Sequence, residues 1–101
     1  MKNVFILGVM ILSCYVINAQ NKITGTITDQ DHLPLAGAII TLPEMNKGTI
    51  SDTNGYYQFM NLPNGKIKVQ FSFIGFASQI ETVTLTGKTI ELNTALKQSV
   101  I

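Results

Sequence analysis

Oxygen-bearing side chains gather at Asp52-Thr53-Asn54-Gly55, with Asp29 and Asp31 further up the chain. Closely spaced oxygens are what a hard cation such as calcium takes as ligands. The set stops short of a calcium loop, because no carboxylate stands at the distal position that closes an EF-hand. Asp followed by Asn-Gly is equally the composition of a tight turn, and the turn is the reading adopted. Soft metals fare no better: His32 is the only histidine and Cys14 the only cysteine, too few for a zinc set. For nucleophilic catalysis, Ser51, Ser72, Ser78 and Ser99 fall in predicted strands or the tail, without a glycine-rich elbow. His32, between Asp31 and Leu33, reads as a solvated loop residue rather than a general base. Paired-acid and phosphate-loop signatures are missing as well. The sequence therefore predicts a non-enzyme, with no catalytic residue, no metal ligand and no cofactor.

Two kinds of binding chemistry remain. The aromatics Tyr56, Tyr57, Phe59, Phe71, Phe73 and Phe76 are the material of a sugar-stacking platform. Their parity along the predicted strands sends most of them inward and leaves Tyr56 and Phe76 as the exposed pair. Carbohydrate or cell-surface binding is accordingly the second reading, behind contact with a protein. Nucleic acid is disfavoured. All seven basic residues are lysines, they face six acids, and the formal net charge is +1, whereas phosphate recognition wants a basic surface and usually arginine forks.

Short runs rich in Ile, Val, Thr, Phe and Tyr recur about every ten residues, separated by Gly, Pro, Asn and Asp, which is the spacing of an all-β domain. Strands are predicted over Lys22–Thr28, Ala38–Leu42, Gly48–Ser51, Tyr56–Phe59, Lys66–Phe73, Ser78–Leu85 and Thr89–Leu96. In Lys66–Phe73 the residues Ile67, Val69, Phe71 and Phe73 alternate with polar neighbours, and period two places all four on one buried face. Ile23 with Ile27, and Ile90 with Leu92 and Leu96, show the same parity. One wet face per sheet implies antiparallel strands packed as a sandwich. Asn54-Gly55 predicts a hairpin between Ile50 and Tyr57. Leu62-Pro63-Asn64-Gly65 predicts a turn into the longest strand. Pro34 and Pro43, which cannot donate to a ladder, are expected at strand ends or on an edge.

The N-terminus is a different kind of segment. Lys2 precedes an apolar run from Val4 to Ile17 that ends at Asn18-Ala19. A basic start, a run too short for a comfortable membrane span and a small residue before the polar cluster describe a secretory signal peptide over residues 1–19. A retained transmembrane anchor is the competing reading. Ile11-Leu12-Ser13-Cys14 loosely resembles a lipobox, but Leu12 fits that motif poorly and the apolar run continues past Cys14. Cleavage after Ala19 removes Lys2 and the only cysteine, so the mature chain holds together by packing without disulfides. Its domain then covers residues 20–97, with 98–101 as a tail.

Ile23-Thr24-Gly25-Thr26-Ile27-Thr28-Asp29, Leu33-Pro34-Leu35-Ala36-Gly37-Ala38-Ile39-Ile40 and Ser51-Asp52-Thr53-Asn54-Gly55-Tyr56-Tyr57 together resemble the carboxypeptidase regulatory-like domain. Leu62-Pro63-Asn64-Gly65 and Phe73-Ile74-Gly75-Phe76 extend the resemblance from about Lys22 to Leu96. It implies a transthyretin-like, seven-stranded Greek-key β-sandwich without catalytic zinc. In Bacteroidota such domains form the N-terminal extension of SusC-type TonB-dependent receptors, which implies an exported protein at the periplasm or outer membrane. Its partner there would be a protein, such as a component of the receptor or of the TonB system. A truncated receptor and a free-standing copy of the domain both fit. Transthyretin-like hydrolases fit poorly, since they resemble a histidine-and-arginine arrangement and this chain has no arginine. The leader reading is checked by N-terminal sequencing of the exported protein: Gln20 is the expected first residue, and an acylated Cys14 in that position would replace this reading with a lipoprotein.

Overall fold

The computed structural model describes residues 21–99; the predicted leader, Cys14, Val100 and Ile101 lie outside the described residues. Eight strands are present: β1 (Asn21–Thr28), β2 (Ile39–Leu42), β3 (Lys47–Ile50), β4 (Tyr56–Leu62), β5 (Gly65–Ser72), β6 (Gln79–Leu85), β7 (Thr89–Glu91) and β8 (Thr94–Ala95). One sheet has the order β4-β1-β7, with β8 continuing beside β1 beyond β7, and the other runs β3-β2-β5-β6. No helix occurs among the described residues. The expected all-β sandwich is the architecture found.

The alternating pattern does what period two requires. Ile67, Val69 and Phe71 of β5 are buried, and Lys66 and Lys68 are exposed. Phe73 lies just beyond the strand end and is half-buried against the core. From the opposite sheet β1 contributes Ile23 and Ile27, both fully buried. Tyr57 joins the two layers. Its ring meets Phe59 edge-on at 6.3 Å and Phe71 of the facing sheet at 5.8 Å, the T-shaped geometry that aromatic quadrupoles favour.

Three local expectations are corrected. Asn54-Gly55 does form a tight turn, and Gly55 has φ 77°. It does not close a hairpin, because β3 belongs to one sheet and β4 to the other. Positive φ specifies the reversal, not the strand that receives it. The strand expected over Thr89–Leu96 is broken at Leu92-Asn93 into β7 and β8. Finally, pairing is not antiparallel throughout: β1 runs parallel to β7 and β8. The reason is connectivity. β6 ends at the pole where β1 begins, and the crossover through residues 86–88 starts β7 at that same pole, so it can only run alongside β1. Phe71→Ala should destabilise the domain by about 3 to 5 kcal/mol, since it empties a fully buried aromatic site. Ser72→Ala should change stability little, and chemical denaturation of the two variants measures the difference; equal midpoints would contradict the assigned faces.

Candidate functional site

The acidic turns are two copies of one device. In Asp29–Leu33, Asp29 Oδ1 accepts the backbone N–H groups of Asp31 at 2.8 Å and Leu33 at 3.0 Å. The Asp29 N–H donates to the Leu33 carbonyl, and the His32 N–H donates to the Asp29 carbonyl. In Asp52–Tyr56 every bond recurs at the same offsets: Asp52 Oδ1 accepts from Asn54 and Tyr56, both at 2.9 Å. Asp52 N–H donates to Tyr56, and Gly55 N–H to Asp52. The fourth residue takes positive φ in both, 65° at His32 and 77° at Gly55. Ile27 ties the two turns together, donating its N–H to the Gly55 carbonyl and accepting the Leu35 N–H on its own. These carboxylates are thus engaged in shaping backbone. Among the described residues no three His, Cys, Asp or Glu side chains gather as a metal-holding group.

His32 owes its place to this turn and borders a shallow depression with Thr26, Thr28 and Asn93. Tyr56 is exposed at the start of β4, and its hydroxyl meets Gln58 Oε1 at 3.2 Å. Phe76 is half-buried, tilted against Phe73 at 5.6 Å. Its expected exposure is therefore only partial, and Tyr56 is the one exposed aromatic among the described residues.

The prolines fall at strand ends rather than on an edge. β2, which Pro34 and Pro43 bracket, is an interior strand. Both prolines do lie off its ends, Pro34 bridging Thr28 and Pro43 opening the turn to β3. The open edges are β3 and β6 in one sheet, and β4 and the β7–β8 line in the other. Residues 97–99 are tied back to the fold. Lys97 accepts the N–H of Ala77, Ser99 donates to Gly75, and Phe76 bridges Gln98. What the sequence reading missed is an outward apolar patch. Ile39 and Ile50 are directly opposite one another in β2 and β3, 47% and 63% exposed, and Ile80 of β6 is 58% exposed on the same face. The Ile39-Ile40 doublet hides it, because one member must face out and composition does not say which.

The CarboxypepD_reg-like domain family matches residues 23–101. The chain belongs to that family. Among curated proteins, a TonB-dependent receptor of Formosa agariphila is 33% identical over 76 residues, covering 75% of this chain and 7% of the receptor. Among solved structures, catechol 1,2-dioxygenase of Acinetobacter superposes with TM-score 0.68 at 14% identity, over 86% of this chain and 55% of that one. A cohesin–X-dockerin complex of Acetivibrio cellulolyticus gives TM-score 0.62 at 18% identity, covering 73% and 52%. The minor pilin of Streptococcus agalactiae gives 0.60 at 16%, covering 82% and 45%. At such identities the structural likeness establishes the sandwich fold alone.

In this CarboxypepD_reg-like domain the most constrained point is the seam between β1 and the broken strand. The Leu92 N–H donates to Thr24 at 2.7 Å, and the Leu92 carbonyl accepts the Tyr57 hydroxyl at 2.7 Å. A Cβ on Gly25 would stand 1.9 Å from that carbonyl oxygen and 3.0 Å from the Tyr57 ring, so only glycine admits the approach. Burial first, and the Glu81 charge second, push the Tyr57 phenol well above its ordinary value. The buried phenol stays neutral while the unfolded one ionises, so its stabilising contribution is complete below about pH 10 and is lost as pH rises above it. Denaturation midpoints should fall from about pH 8 to about pH 11, and Tyr57→Phe, weaker at the outset for want of its hydrogen bond, should show a shallower fall. Parallel pH profiles for the two proteins would contradict this assignment.

Proposed function

We propose that the domain is a non-catalytic accessory module of the cell envelope, exported by the leader at residues 1–19. It serves as the N-terminal extension, or a free-standing or truncated copy, of a TonB-dependent outer-membrane nutrient receptor. The observation that carries this reading is the 33% identity to a TonB-dependent receptor, which spans most of the described domain. The Asp29 and Asp52 carboxylates support it, because both are spent on turn geometry.

Its work is contact with a protein, at the periplasmic side or at the outer membrane. The outward Ile39–Ile50 pair and the open β3 edge offer the material for such contact, since unpaired backbone and exposed apolar side chains are what strand addition uses. A second reading, carbohydrate or cell-surface binding, is favoured by the exposed Tyr56 ring alone.

Cross-linking mass spectrometry of the full chain with outer membranes of its source bacterium separates the two. Cross-links from Lys47, on the same edge strand as Ile50, to a TonB-dependent receptor or its companion proteins are expected, and Ile50→Lys should abolish them while leaving the circular dichroism unchanged. Oligosaccharide binding that is lost in Tyr56→Ala, with no such cross-links, would establish the second reading instead.

A further inference from the structure

The chain enters and leaves this fold at opposite poles, and its first and last strands are direct neighbours. β1 starts at Asn21, beside the turns at residues 62–65 and 86–88. β8 ends at Ala95, level with Thr28 at the far pole, and the chain continues past Ser99 beside Gly75. Because β1, β7 and β8 are parallel, tension applied between Asn21 and Ser99 draws β1 one way and β8 the other. It slides them along each other. In that geometry the seam's hydrogen bonds share the load and must break together, whereas bonds loaded at the end of a ladder break one at a time.

From this arrangement we propose that the module is a force-bearing coupler, built to stay folded when the chain on either side of it is pulled. The β1 seam is its mechanical clamp. Four features serve that role. Leu92 N–H to Thr24 at 2.7 Å and Leu96 N–H to Thr28 at 2.8 Å run across the seam, one at the strand break and one beyond β8. At the break itself, where a regular ladder would lose a bond, Asn93 Oδ1 accepts the Thr26 N–H at 2.9 Å and the Thr26 hydroxyl at 3.2 Å. The Tyr57 hydroxyl pins Leu92 from inside the core. At the entry pole the buried Asn21 side chain donates to Leu62 and Asn64 and accepts the Gly87 N–H, so a pull on the N-terminus meets a fixed residue before it reaches the ladder. The inference stands on the strand directions and does not depend on which proteins lie on either side.

Single-molecule force spectroscopy on the chain from Gln20 to Ile101 tests it, with handles placed in two ways. With handles at both termini the seam is sheared. With one handle at the N-terminus and the other on Lys66→Cys, both attachments lie at the entry pole and the antiparallel β1–β4 ladder, where Asn21 faces Leu62, is unzipped. End-to-end pulling should need at least about twice the force of the second geometry, since forced unfolding reports the barrier along the loaded direction. Asn93→Ala should lower the end-to-end force and leave the unzipping force unchanged. Asn93→Asp, which keeps the acceptor oxygen, should restore it. Equal forces in the two geometries would overturn the proposal, as would an Asn93→Ala effect of the same size in both. Neither result would bear on the receptor reading, which the cross-linking experiment decides.

Discussion

A missing side chain sets the geometry of the whole domain. At Gly25 the backbone of β1 comes so close to Leu92 that a single added carbon would fall inside its carbonyl group. That approach lets the C-terminal strands join the central strand of the first sheet in parallel, and it leaves the Leu92 carbonyl at the reach of Tyr57. Tyr57 in turn is the ring through which the first sheet meets Phe71 of the second. Assembly of the sheet, satisfaction of the Leu92 carbonyl and contact between layers therefore share three residues. A buried phenol without a partner would itself be costly, so the carbonyl and the hydroxyl satisfy each other.

Elements governed by local rules were legible in the sequence. The strict alternation of Lys66–Phe73 gave β5 and its buried face, and the threonine-rich repeat around Ile23 and Ile27 gave β1. Asn54-Gly55 and Asn64-Gly65 marked reversals that exist, with positive φ at both glycines. Partnership between distant segments was not legible. Nothing near Asn54 states that the chain changes sheets there, and nothing near Lys97 announces its pairing with Ala77. The break at Leu92-Asn93 follows from contacts with Gly25 and Thr26, more than sixty residues away in the chain. Even the repeated Asp turn escaped notice, because Gln30-Asp31-His32 and Thr53-Asn54-Gly55 share no residue type and the likeness lies in the hydrogen bonds.

The candidate site divides along the same line. The sequence identified the aspartates and His32 as turn and loop residues, and the structure gives the Asp29 and Asp52 carboxylates their backbone partners. The apolar patch of Ile39, Ile50 and Ile80 draws on three strands and exists only once the sheet is assembled. The inner face alone must satisfy the core, so the alternation of a strand says which residues are buried and not which outward residues meet across strands.

If the chain is exported by a cleaved leader, Asn21 bears on the order of events. Its side chain is almost wholly enclosed and tied to two turns of the folded domain. Were the leader cut after Ala19, one residue would separate the scissile bond from this enclosed position. A peptidase that grips its substrate as an extended chain would then have a single residue of slack before the folded domain. Cleavage would have to come first, and the leader would act as a clock that holds the last strand pairing open until translocation is done.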